Sequence, residues 1–226
     1  MCVIIFSPNT GNRPSSKTLE LCNKANPHGI GIVTQGSKDM FSVSKGVSLD
    51  YVKKTLRNTD GAIAIHFRYA TVGGIEDELC HPFPCTTKAE TWTDYEASDI
   101  LMTNGTWLNW EQSYEVLRKL LKLPKLHGDI SDTRAMSQVV GSSLSTSFLS
   151  NITDKHPQST RVRSLYMSKC KKRTASFYGD WQNYEGCKFS NMRWQPSRFT
   201  ARKHSFIPHK PSATQQDFSS WLGSRY

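Results

Sequence analysis

Two short runs limit what this chain can fold into more than any other feature. Cys2–Phe6 reads CVIIF, and Ala62–Ala70 reads AIAIHFRYA. Both are apolar or β-branched at almost every position rather than at alternate ones, so they read as strands, the second apolar enough to be central in a sheet. Gly29–Thr34 and Phe41–Gly46 look like paired strands joined by a turn around QGSKD. Ser16–Lys24, with Ser15 or Ser16 as its cap, and Leu49–Arg57 have helical character. Trp110–Leu123 is an amphipathic helix ended by Pro124, and another helix begins at Ser131 or just before it. DILMTNG is a strand running into a turn, and RVRSLYMS, TASFYG and CKFSNMRW are candidates for three more. Strands, then helices, then strands predict an α+β fold in layers, not a regular parallel winding.

Residues 74–98 show no periodicity. A loop of that length inside a compact domain is functional or mobile, and this one is expected to close over a site when a ligand or partner binds. Beyond Trp194 the composition turns to Pro, Ser, Arg, Lys and Gln. The sequence therefore predicts one domain over residues 1–194 and a basic, poorly ordered tail over 195–226.

The chain has 226 residues, enough for one large domain with a tail. No apolar run approaches the roughly 20 residues of a membrane helix, and MCVIIFSPNTGN lacks the basic start of a secretory signal. These features point to a cytoplasmic protein without membrane contact. Six cysteines, at 2, 22, 80, 85, 170 and 187, are scattered and form no CxxC pair. Reduced thiols are expected. Cys80, His81 and Cys85 are close, but no second ligand pair has zinc spacing, so a loop with two free thiols is favoured over a metal site. The net charge of +10 comes wholly from the C-terminal third: residues 151–226 hold 14 Lys and Arg against 4 Asp and Glu, with half of the aromatic residues. That mixture suits nucleic acid, although a soluble basic face or an acidic protein partner accounts for it at least as well.

Four motifs carry chemistry. If Met1 is removed, Cys2 presents a thiol beside its own α-amine. That amine has a pKa of about 7.7–8.0, low enough to accept the thiol proton near neutrality. HFRYATVGG delivers Arg68, a planar fork matched to a carboxylate, and Thr71, a hydroxyl beside it. MTNGTW holds Asn104-Gly105, either a tight turn or an oxyanion hole made from an amide and a glycine N–H. SDTRAM places Asp132 at a helix start, as a cap or as the partner of a substrate ammonium. Together they provide a nucleophile with its base, a carboxylate clamp, an oxyanion hole and an ammonium anchor. Glutamine, attacked at its side-chain amide, fits all four.

The chain resembles class II glutamine amidotransferases, the glutaminase domains of the N-terminal-nucleophile (Ntn) hydrolase superfamily. The resemblance rests on MCVIIF, NPHGIGI, HFRYATVGG, CHPFP, MTNGTW and SDTRAM, in that order over residues 1 to about 140, and on YGDWQNYEGCKFSNMRW up to about residue 194. It implies a four-layer αββα sandwich. It also implies Cys2 as nucleophile, Asn104 and Gly105 as oxyanion hole, and Arg68, Thr71 and Asp132 as glutamine-binding residues. The implied half-reaction, glutamine to glutamate with release of ammonia, needs no metal or organic cofactor. No synthetase domain is recognisable after residue 194, so the ammonia acceptor is expected on another chain, with modification of a nucleotide or nucleic acid as one use. Two departures stand out. His28 follows Asn-Pro where relatives often carry an acidic residue, and Thr103 precedes Asn-Gly where relatives usually carry histidine. Two further readings stay open: an N-terminal-cysteine hydrolase of another γ-glutamyl amide, and a non-catalytic descendant that binds nucleic acid or a protein through its basic C-terminal third.

Overall fold

The structure, a computed structural model, describes residues 2–71, 74–142, 147–154, 162–170 and 174–196. Its strands are β1 (Val3–Ser7), β2 (Ile30–Gln35), β3 (Phe41–Lys45), β4 (Ile63–Phe67), β5 (Phe83–Pro84), β6 (Asp94–Ala97), β7 (Asp99–Asn104), β8 (Arg163–Ser168), β9 (Ala175–Tyr178), β10 (Gln182–Tyr184) and β11 (Cys187–Phe189). Its helices are α1 (Ser16–Ala25), α2 (Leu49–Asn58), α3 (Trp110–Leu120), α4 (Asp132–Gly141) and α5 (Ser147–Asp154). The fold is mixed α+β, with two antiparallel sheets and these five helices among the described residues. Met1–Gln195 is one compact unit. The expected tail lies, from residue 197 on, outside the described residues. Among the described residues no helix is long and apolar enough to cross a membrane.

The two apolar runs become β1 and β4, which pair with each other inside a seven-stranded sheet of order β10-β11-β1-β4-β2-β3-β6. The second sheet has the order β5-β7-β8-β9. Alternation along β1 separates two cores. Val3 and Ile5 pack with Leu19 and Cys22 of α1 and Val52 and Leu56 of α2. Ile4 and Phe6 pack with Ile100 and Met102 of β7 and Leu165 and Met167 of β8. A third cluster joins Leu101 and Tyr166, on the other face of the second sheet, to Tyr114, Met136, Val139 and Leu149 of α3, α4 and α5. Every residue of β1 and β4 is buried, as a strand covered on both faces must be. Serines cap three of the helices: Ser15, Ser48 and Ser131 accept from the amides of Thr18, Tyr51 and Arg134.

The space between the sheets changes character along its length. Phe6, Ala64, Val33 and Val43 form one apolar row across the first sheet. The next row is Ile4, His66, Gly31 and Lys45. Continuing the β1–β4 register by one residue sets Cys2 opposite Arg68. On the facing sheet the same parity leads from Ile100 and Met102 to Asn104. The polar residues thus gather at one end of an otherwise apolar interface.

The 74–98 segment differs from the structureless loop expected. It contains a 3-10 turn at Asp77–Leu79, then β5 and β6, and three buried basic side chains tie its main chain to the body. Arg68 donates to the carbonyls of Gly74 (2.6 Å) and Glu76 (3.4 Å). Lys45 donates to those of Glu78 (2.6 Å) and Thr91 (3.4 Å). Arg134 donates to that of Ala89 (2.9 Å), and to His127 and Asp129 (both 2.7 Å). These two- to four-residue strands carry too little pattern to be read in sequence.

Candidate active site

Cys2 is half-buried at the start of β1. Its Sγ accepts the amide of Tyr69 at 3.2 Å and lies 3.4 Å from the Tyr69 carbonyl. Its own carbonyl accepts from Asn191 Nδ2 at 2.7 Å. Burial raises the thiol pKa, against the opposing pull of the Tyr69 amide and the Arg68 charge. The thiol is therefore held in place but needs a base to ionise it near neutrality.

His28, the first departure from the amidotransferase pattern, acts on this same stretch. Its Nδ1 accepts the amide of Ala70 at 3.0 Å, and its ring stacks on Tyr69 with centroids 4.9 Å apart. His28 thus fixes the exit of β4, whose Tyr69 amide meets the thiol.

Arg68 is 3% exposed. Its guanidinium meets main-chain carbonyls and, among the described residues, no carboxylate within ion-pair distance. A buried cation without an anion favours an anionic ligand. Thr71 is exposed and immediately precedes residues 72–73, which lie outside the described residues. The structure does not bring its side chain to the buried side of Arg68.

Asn104 ends β7 and is fully buried. Its Nδ2 lies 2.9 Å from Ser190 Oγ, and its Oδ1 has no partner among the described residues. Gly105 follows with φ +106°, in the left-handed region where glycine is favoured. Two residues on, the amide of Trp107 donates to Asp132 Oδ2 at 2.9 Å, while Asp132 Oδ1 accepts from Thr133 at 2.8 Å. Asp132 therefore pins the Asn-Gly turn to the start of α4. Burial raises its pKa in spite of these two amides.

Thr103, the second departure, is buried; its hydroxyl is hydrogen-bonded to that of Thr133, and its amide donates to His81 Nδ1 at 3.4 Å. His81 stacks on His66 at 4.1 Å, and its own amide donates to His66 Nδ1 at 3.4 Å. Both rings accept at Nδ1, so both carry their proton on Nε2. Burial, joined by the charges of Arg68 and Lys45, lowers His81 to about 3, and burial and the neighbouring His81 lower His66 as well. Both rings are therefore uncharged at neutral pH. Gly31 makes this packing possible, because a Cβ there would lie 1.8 Å from the His81 carbonyl oxygen.

Sequence reasoning missed the part played by five residues. Ser190 and Asn191 follow β11 and reach back more than 180 residues to β1 and Cys2. His66 and His81 belong to HFRYATVGG and CHPFP, but nothing in either motif announces that the two rings stack. Lys45 carried a signal that was overlooked: alternation in FSVSK puts it on the same face as Phe41 and Val43, both buried. Of the 14 basic residues in the C-terminal third, only Arg163, Lys169, Lys188 and Arg193 are described.

The arrangement can hold a thiol beside a backbone amide, an anion near Arg68, and a negative oxygen near Asn104-Gly105. Among the described residues no group of three His, Cys, Asp or Glu is placed to hold a metal ion. Comparison with protein-family models and with curated proteins finds no match for this chain.

Proposed function

We propose that this chain is a glutaminase of the class II glutamine amidotransferase type, with Cys2 as an N-terminal nucleophile once Met1 is removed. The observation that carries the reading is the convergence of three elements at the polar end of the inter-sheet space. The thiol just before β1, the arginine just after β4 and the Asn104-Gly105 turn lie there, and Ser190 bonds both Ile4 of β1 and Asn104. Three apolar clusters, separating helices, sheet, sheet and helices, support a four-layer αββα sandwich of the Ntn type.

In this reading the Cys2 α-amine takes the thiol proton, and Sγ attacks the side-chain carbonyl carbon of glutamine. Negative charge builds on the carbonyl oxygen, against the Asn104 amide and the Gly105 N–H. The tetrahedral centre collapses as nitrogen leaves with the transferred proton as ammonia. Water then cleaves the γ-glutamyl thioester to glutamate and restores the thiol. Arg68 supplies the charge for the α-carboxylate, with Thr71 at the edge of that site, and Asp132 the charge for the α-ammonium. Ammonia passes to an acceptor enzyme on another chain.

Intact mass of the purified protein and glutamate release by wild type and Cys2→Ala test the proposal together. The expected result is a mass lacking methionine and glutamate release only by wild type. Retained Met1, or equal rates, would refute it.

A further inference from the structure

Ser190 sits just past β11 with no exposed surface. Its Oγ accepts the amide of Ile4 at 2.9 Å, and its own amide donates to the Ile4 carbonyl at 3.0 Å. The same Oγ lies 2.9 Å from the terminal nitrogen of Asn104. One hydroxyl therefore joins the strand of the nucleophile to the side chain that ends β7. The next residue, Asn191, donates to the Cys2 carbonyl.

The hydrogen-bond inventory of this cluster leaves the Asn104 amide two ways to face. With nitrogen toward Ser190, the hydroxyl accepts twice, from Ile4 and from Asn104. Its own proton then has no identified acceptor, and Asn104 Oδ1 stays buried without a donor. A half-turn of the amide exchanges oxygen and nitrogen in nearly the same volume. The Ser190 proton then goes to Oδ1, which meets both of those needs and moves the unmet bonding to the amide nitrogen. What remains is a buried NH2 group whose hydrogens face away from Ser190. A buried donor pair without an acceptor is costly in the empty protein, and an oxygen gathering negative charge relieves that cost.

We propose that Ser190 is a positioning residue. It holds the Asn104 amide by its oxygen, so that the nitrogen faces the reacting carbonyl, and it locks that amide in register with β1. This rests on the reading of Asn104 as an oxyanion donor. The role needs a hydroxyl that both donates and accepts, which serine and threonine possess and alanine does not.

The test compares wild type, Ser190→Ala and Ser190→Thr by three measurements. In glutamate release, Ser190→Ala lowers kcat by about 10²-fold with KM changed by less than about threefold, the pattern of an interaction made only in the transition state. Ser190→Thr recovers most of that loss. Alkylation of Cys2 by iodoacetamide passes through no oxyanion, so its rate stays the same in all three proteins. In 15N–1H correlation spectra, the Asn104 side-chain NH2 pair, assigned by its loss in Asn104→Asp, shifts in Ser190→Ala and returns in Ser190→Thr. If Ser190→Ala does not fold, Ser190→Cys takes its place, with a weaker donor of similar shape. An unshifted NH2 pair, an unchanged kcat, or a fall in alkylation parallel to that in kcat would each overturn the proposal. Absence of glutamate release in wild type would sink the glutaminase reading instead, and the NH2 pair would still decide the role of Ser190.

Discussion

Replacing Lys45 by methionine separates the energetic cost of burying an amine from the contacts that amine makes. Lys45 is 4% exposed. It faces the rings of Phe83 (4.8 Å) and Tyr95 (5.9 Å) and the carbonyls of Glu78 and Thr91. The titratable groups acting on it are Cys80, Glu78, Arg134 and Arg68. Burial, reinforced by the two arginines, brings its pKa from an ordinary 10.5 down to about 7. Between these values the unfolded chain holds a proton that the folded chain has released. Stability therefore rises with pH across that window and falls as pH drops toward 7. Each pH unit inside the window is worth about 1.4 kcal/mol, so between pH 6 and pH 9 the amine adds about 2.7 kcal/mol to the stability of wild type. Lys45→Met also leaves two carbonyls without their donor, but that cost does not change with pH. The assay is urea unfolding of both proteins at pH 6, 7.5 and 9. Relative to wild type, the variant should be more stable at pH 6 than at pH 9 by about 2–3 kcal/mol. Parallel stability curves would refute the reasoning, because they would mean that Lys45 stays charged in the folded state.

Gly31→Ala drives a methyl group into the His81 carbonyl and should lower stability by about 3 kcal/mol or more, read from the urea midpoint; an unchanged midpoint would show that the strand and the carbonyl are not in contact. Asp132→Asn sets an NH2 group against one of two inward-pointing amides and should cost about 1–3 kcal/mol in thermal or urea unfolding. Loss of less than a few tenths of a kcal/mol would mean that the Trp107 turn is held by something else. His28→Ala removes the acceptor of the Ala70 amide, so hydrogen exchange at Ala70 should speed up at least tenfold, and equal protection in both proteins would argue against that bond.

The parts of the fold that were legible in sequence are those whose pattern is local. Val3–Ser7 and Ile63–Phe67 are continuous apolar runs, the hairpin of β2 and β3 is punctuated by QGSKD, and serines mark the starts of α1, α2 and α4. Short elements escaped. Phe83–Pro84 has two residues, and Asp94–Ala97 is a polar strand at the sheet edge whose pairing is decided by its neighbour β3. The helix foreseen from Ser131 ends at Gly141, where a Cβ would strike the main chain at Cys85 and Thr86, and Ser147–Asp154 forms a helix that was not foreseen. Cys2, Arg68, Asn104, Gly105 and Asp132 stood out because each belongs to a short motif. Ser190 and Asn191 did not, since their significance comes entirely from partners far away in the chain. The two departures, His28 and Thr103, looked like losses in sequence, yet each has a bonding role that only the packing reveals.

Arg68, Lys45 and Arg134 hold the 74–91 segment by five of its carbonyls, and every residue type offers a carbonyl. These particular anchors do not depend on the side chains at the positions they grip. The segment's outward residues, such as Ile75 and Glu78, are exposed. Anchoring and surface identity are thus written in different parts of the chain. The exposed positions of such a stretch can be rewritten like an interchangeable faceplate: the mounting stays with three basic side chains elsewhere in the scaffold and with the segment's own buried residues, such as His81 and Phe83, while what the surface presents to a visitor is free to change.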